Sequence, residues 1–107
     1  MVKKGQLMMF WGSECPHCHV MMPLVERLER EEGVKFKKLE VWHNEANARK
    51  MRAIADIIKS ACGGVFGTPT FYDPERAAAL CGEQPYELLR EWAFGGPKTQ
   101  SRTQRQE

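Results

Sequence analysis

Two cysteines separated by two residues form the most reactive pattern in the sequence. The segment Cys15-Pro16-His17-Cys18 follows a short apolar run and opens a stretch with helical periodicity. At the start of a helix, free backbone N–H groups and the helix dipole favour a thiolate, which is the species that attacks a disulfide. The pattern therefore predicts that Cys15 is a nucleophile. Cys18, one turn further along, is placed to attack the mixed disulfide and release the partner.

The two residues between the cysteines are expected to tune this pair. Pro16 fits the first turn of a helix, where its missing N–H is not needed. His17, when protonated, would add positive charge beside Cys15 and so favour the thiolate.

The same cysteines fit two other kinds of site. Cys15, Cys18 and His19 match the C-x-x-C-H signature of c-type haem attachment, but that chemistry requires export and a second axial ligand. The four cysteines of the chain, which include Cys62 and Cys81, could instead form a tetrahedral zinc site. The spacing after Cys18 matches no zinc finger. A zinc-binding module without redox turnover remains the alternative function, and the redox interpretation needs no cofactor.

Cys62 and Cys81 are single cysteines outside the C-x-x-C pattern. The first closes a predicted helix and the second ends a predicted strand. We interpret each as a small, partly buried apolar residue. A second disulfide or a regulatory thiol is the alternative, and a reducing compartment argues against the disulfide.

The apolar pattern along the chain predicts an α/β fold. The run at 7–11 is apolar throughout and bounded by glycines, as in a strand that is buried on both faces. The predicted order β-α-β-α-β-β-α indicates a central mixed four-stranded sheet with helices on both faces. The predicted strands are 7–11, 34–42, 70–72 and 77–81, and the predicted helices are 15–32, 45–62 and 84–94.

These features resemble the thioredoxin superfamily over most of residues 6–94. Phe10-Trp11 precedes the cysteines at the spacing that thioredoxins have, and Pro23 stands where thioredoxins carry a kinking proline. Thr68-Pro69-Thr70 resembles their cis-proline loop. Gly82 is similar to the glycine that borders their substrate groove. The chain is identified by these matches as a minimal, glutaredoxin-sized member with a thioredoxin-like fold.

The resemblance implies a substrate groove and a reaction. Pro69 would be cis and lie against the Cys15 sulfur, and the Thr68 backbone would pair with an extended substrate peptide. Trp11 and Gly82 would belong to the same groove. The implied activity is thiol–disulfide exchange with protein disulfides, protein dithiols or small thiols. A reductase or glutathione would supply or accept the electrons.

Three departures from the family pattern qualify what is carried over. The N-terminal strand and helix of true thioredoxins are absent. Their buried aspartate, six residues before the first cysteine, is Met9 here, so proton transfer at Cys18 would fall to His17, Glu14 or water. The Pro-His pair between the cysteines is that of periplasmic disulfide oxidases, which favours a more oxidising couple.

Composition and charge exclude several other functions. The 107-residue chain carries a net charge of +2, and that excess lies in residues 97–107, a polar segment that we predict to be a disordered tail following a domain over 1–96. The neutral remainder predicts no nucleic-acid binding, and no apolar run is long enough for a membrane span. The N-terminal apolar stretch is too short for a signal peptide. We therefore expect a cytoplasmic monomer, or an exported one if a signal segment has been removed.

Overall fold

The computed structural model describes residues 6–95. Four strands and four helices occur in the order β-α-β-α-α-β-β-α, and the predicted tail at 97–107 lies outside the described residues. The elements are β1 (Leu7–Trp11), α1 (Pro16–Glu32), β2 (Phe36–Glu40), α2 (Glu45–Ala53), α3 (Ala55–Ala61), β3 (Thr70–Asp73), β4 (Ala78–Cys81) and α4 (Tyr86–Ala93).

The strands form one mixed sheet in the order β2-β1-β3-β4. β1 is parallel to β2 and antiparallel to β3, and β4 is antiparallel to β3. The predicted α/β class and mixed four-stranded sheet are confirmed. β1 is an inner strand because its apolar run can be buried on both faces, and its C-terminal end leads directly to the cysteines.

Helices cover both faces of the sheet. Side chains of β1 alternate between the faces, so that Leu7 and Met9 contribute to one apolar cluster and Phe10 to the other. The first cluster is completed by α1 and α4. The second is completed by α2 and α3, through Met51 and Ile58. Over residues 6–95, no helix combines the length and apolar character that crossing a membrane requires.

The predicted helix over 45–62 is wrong as a single element. Ile54, with φ −114° and ψ 25°, separates α2 from α3, and its N–H donates to the carbonyl of Met51. Met51 and Ile58 nevertheless pack into the same cluster. The break leaves the apolar stripe in phase, so periodicity alone cannot reveal it.

The second strand is shorter than predicted, at Phe36–Glu40 instead of 34–42. Val34 is buried but precedes the strand. Beyond it, the Val41 N–H still donates to the carbonyl of Trp11, at 2.8 Å. Trp42 then leaves the sheet and is about half exposed, which places an aromatic ring beside the start of α1.

Candidate active site

The Cys15–Cys18 pair lies at the turn between β1 and α1. Cys15 is the N-cap of the helix and Pro16 occupies its first turn, as the sequence predicts. The Cys18 backbone N–H donates to the Cys15 sulfur at 3.3 Å. Both cysteines are buried and unbonded, so the helix start holds two free thiols.

The loop before β3 brings Thr68 against Cys15. The Thr68–Pro69 bond is cis. The Thr68 hydroxyl lies 3.5 Å from the Cys15 sulfur, and the Thr68 carbonyl oxygen lies 3.7 Å from it. The hydroxyl can donate to a thiolate, and the carbonyl can accept from a thiol. Thr68 thus has a partner group for either protonation state of Cys15.

Gly82 fixes the position of this loop. Its N–H donates to the carbonyl of Pro69 at 2.9 Å, and its φ of +76° lies in the left-handed region that favours glycine. Pro69 is fully buried. Pro69 and Gly82, which the resemblance placed at the substrate groove, are therefore hydrogen-bonded to each other, and Pro69 directly follows Thr68 in the chain.

The two thiols have opposite pKa shifts. Burial raises the pKa of Cys15, but hydrogen bonds from the Cys18 thiol, the Thr68 hydroxyl and nearby backbone N–H groups outweigh it, and the net pKa is lowered. Burial raises the pKa of Cys18 to about 11, and the hydrogen bond with Cys15 adds to that increase. Cys15 is therefore the thiol that ionises first.

The His17 ring pairs with Glu83 across the site. Its Nδ1 lies 2.5 Å from the Glu83 carboxylate, and both side chains are exposed. The hydrogen bond with Glu83 and its charge raise the pKa of His17. Cys15 receives a hydrogen bond from the His17 backbone N–H, whereas the imidazole charge is compensated by a carboxylate. Glu83 was not identified from the sequence, because it is 66 residues away from His17.

The groups suggested for proton transfer at Cys18 have other partners. The Glu14 carboxylate lies 2.7 Å from Nε2 of His43. This hydrogen bond lowers the pKa of Glu14 and raises that of His43. Met9 is fully buried in the core. The Thr68 hydroxyl lowers the pKa of Cys18 as well as that of Cys15, so it is a polar side chain that acts on both thiols.

A groove of about 490 Å³ opens beside Cys15. Trp42, from the loop after β2, forms part of its wall, whereas Trp11 packs against the core and stands edge-on to the His19 ring. Sequence reasoning missed Trp42 and the residues opposite it. The available signal was Phe66, an aromatic residue outside any predicted element, whereas Trp42 was assigned to the predicted strand over 34–42. The groove is lined by Cys15, Pro16, His17, Val41, Trp42, Ala48, Met51, Arg52, Phe66, Gly67 and Thr68.

Cys62 and Cys81 form a disulfide, with their Cα atoms 5.8 Å apart. The interpretation of both as unpaired apolar residues is therefore wrong. Cys62 caps the end of α3 and Cys81 ends β4, and packing of that helix on that strand brings them together. Both sulfurs are used in this bond, and within residues 6–95 no cluster of three or more metal-ligating side chains occurs. The zinc alternative gains no support.

Comparison with known proteins identifies the fold. No protein-family model matches the sequence, and no curated protein matches it significantly. The crystal structure of the glutaredoxin Grx-1 from Archaeoglobus fulgidus is similar, with a TM-score of 0.56 and 23% sequence identity. The match covers 85% of this chain and 87% of that one. The chain therefore has the thioredoxin-like fold of a glutaredoxin-sized protein.

Proposed function

We propose that this protein is a thiol–disulfide oxidoreductase in which Cys15 attacks the substrate and Cys18 resolves the mixed disulfide. The observation that carries the proposal is the arrangement of two free, buried thiols at one helix start, where the Cys18 N–H and the Thr68 hydroxyl donate to the Cys15 sulfur. The opposite pKa shifts of the two thiols agree with this arrangement. A lowered pKa supplies a thiolate for attack. A raised pKa keeps the second cysteine protonated until the first has reacted.

The proposed reaction transfers two electrons from the cysteine pair to a substrate disulfide. The Cys15 thiolate attacks one substrate sulfur, the substrate S–S bond breaks, and the leaving thiolate takes up a proton. Cys18 then loses its proton and attacks the Cys15 sulfur. The second substrate thiolate leaves and is protonated, and a Cys15–Cys18 disulfide remains. A dithiol or two thiols of the electron donor reverse these steps.

The order of attack follows from the surroundings of the two sulfurs. Burial is the main cause of the raised pKa of Cys18, and the hydrogen bond with Cys15 and the charge of Cys15 raise it further. Once Cys15 is bonded to the substrate, the contribution from its charge is gone, so Cys18 is easier to deprotonate in the mixed disulfide than in the free pair.

Thr68 has a positioning role in this mechanism. Its hydroxyl donates to the Cys15 sulfur, which stabilises the attacking thiolate and, when the electron donor reverses these steps, the same thiolate as the leaving group. The hydrogen bond between Gly82 and Pro69 holds Thr68 at that distance. His17 supports the thiolate through its backbone N–H.

We infer that the substrates are protein disulfides or dithiols, with a reductase or glutathione as the electron donor. A monomer in the cytoplasm is part of the same proposal. A structural disulfide such as Cys62–Cys81 is more common in oxidising compartments. Thiol trapping of that pair in cells therefore tests the location: a reduced pair supports the cytoplasm, and an oxidised pair supports export.

Trapping of the mixed disulfide tests the function. With a disulfide-linked peptide, Cys18→Ser should accumulate a covalent adduct at Cys15, because the resolving step is lost. Cys15→Ser should accumulate none. The variant Cys62→Ser/Cys81→Ser is the matched control for cysteine loss and should turn the peptide over as wild type does. Equal adduct formation by the two single variants would overturn the assignment of roles.

A further inference from the structure

The groove beside Cys15 is apolar where a substrate side chain would enter it. Val41 and Trp42, which follow β2, line it, and so does the buried Met51 of α2. Phe66, from the loop before Thr68, is a further apolar side chain in the lining. The groove is continuous with the Cys15 sulfur, because Cys15 and Thr68 also line it.

Two large apolar side chains are kept exposed along this groove. Trp42 is 49% exposed and Phe66 is 37% exposed. Exposed apolar residues that gather at one concave site commonly mark a binding surface. The Trp42 ring lies against Gly12, where a Cβ atom would come within 2.3 Å of it. The absence of a side chain at position 12 therefore leaves room for an aromatic ring beside the groove.

The cations that line the groove already have carboxylate partners. Arg52 lies 2.6 Å from the Glu45 carboxylate, and His17 is paired with Glu83. An anionic tripeptide such as glutathione would have to compete with these carboxylates for either charge. An apolar side chain has no such competitor.

We propose that the groove binds a large apolar side chain of a protein substrate, next to its reactive cysteine, in preference to glutathione. This inference rests on the proposed function and names its substrate class. The occupant is an extended protein segment in which Leu, Met or an aromatic residue stands within two positions of the cysteine. Its side chain lies between Trp42 and Phe66 while its cysteine sulfur meets that of Cys15.

Paired peptide substrates test the preference on the intact protein. Two peptides differ only in Leu or Asp beside a cysteine that is disulfide-linked to the same small thiol, and oxidised glutathione is the third substrate. Burial of one such side chain predicts a kcat/KM about tenfold higher for the Leu peptide than for the Asp peptide. The Leu peptide should also exceed glutathione. In Phe66→Ser and in Trp42→Ser, the kcat/KM of the Leu peptide divided by that of the Asp peptide should fall toward one.

Val65→Ser is the matched control for the groove variants. Val65 adjoins Phe66 and is 63% exposed, but it does not line this groove, so its variant should keep the wild-type ratio. The ratio of two peptides on one variant cancels any loss of activity that affects both. A wild-type ratio near one, or glutathione as the best substrate, would overturn the inference while leaving the exchange chemistry intact. Failure of wild type to reduce hydroxyethyl disulfide, which is too small to fill the groove, would overturn the proposed function itself.

Discussion

The Cys62–Cys81 disulfide is expected to make a large contribution to stability. The two cysteines are 19 positions apart, so the bond closes a loop of about 20 residues in the unfolded chain. The chain-entropy relation gives about 3 kcal/mol for a loop of that size. Replacing both cysteines with serine should therefore lower the free energy of unfolding by about 3 kcal/mol, and Tm by roughly 10–20 °C.

Urea unfolding at pH 7, followed by tryptophan fluorescence, measures this difference. The measurement is made in a Cys15→Ser/Cys18→Ser background, so that dithiothreitol acts on the Cys62–Cys81 bond alone. Protein treated with dithiothreitol is the matched control, because reduction opens the same loop without changing a side chain. The reduced protein should unfold at the same urea concentration as the serine variant. Free thiols at Cys62 and Cys81 before reduction, or a difference below about 1 kcal/mol, would refute the reasoning.

Three further predictions concern the thiols and the histidine beside them. Cys15 should react with iodoacetamide well below the pH at which Cys18 does, because its pKa is lowered and that of Cys18 is raised to about 11; mass spectrometry of each alkylated cysteine against pH checks this. Thr68→Val removes one hydrogen bond to the Cys15 sulfur, so the pKa of Cys15 should rise and the alkylation rate at pH 7 should fall about threefold to tenfold. Glu83→Gln should lower the pKa of His17, as followed by NMR titration. Because the pKa of His17 is raised in the folded protein, its ion pair adds stability at low pH, and this stability is lost as the pH rises through that folded-state pKa. Glu83→Gln should remove this part of the pH dependence of the free energy of unfolding.

The sequence was sufficient where the signals are local. The place of Cys15 at the helix start follows from an apolar run, a proline that fits a first helical turn, and the periodicity behind it. The sheet follows from the order and type of these segments. The helix break at Ile54 could not be predicted in this way, because the buried residues on its two sides keep the spacing of one continuous helix.

The parts that the sequence could not predict depend on contacts between distant residues. Pairing of Cys62 with Cys81 requires that the end of α3 pack beside the end of β4, and neither cysteine shows this in its own surroundings. The resemblance assigned Trp11 to the substrate groove. In the structure Trp11 is partly buried against the core, and the aromatic residue that lines the groove is Trp42, which follows β2 because that strand ends two residues earlier than predicted.

Met9 stands where the resemblance to thioredoxins would place an aspartate, so other groups must handle protons in the proposed reaction. Met9 and Cys18 are fully buried, and an aspartate in place of Met9 would stand as a charge inside an apolar cluster. The polar groups that act on Cys18 are instead the Cys15 thiol, the Thr68 hydroxyl and the Gly12 backbone. In the proposed mechanism Thr68 therefore takes part in both the attack by Cys15 and the resolution by Cys18, because its hydroxyl acts on both thiols.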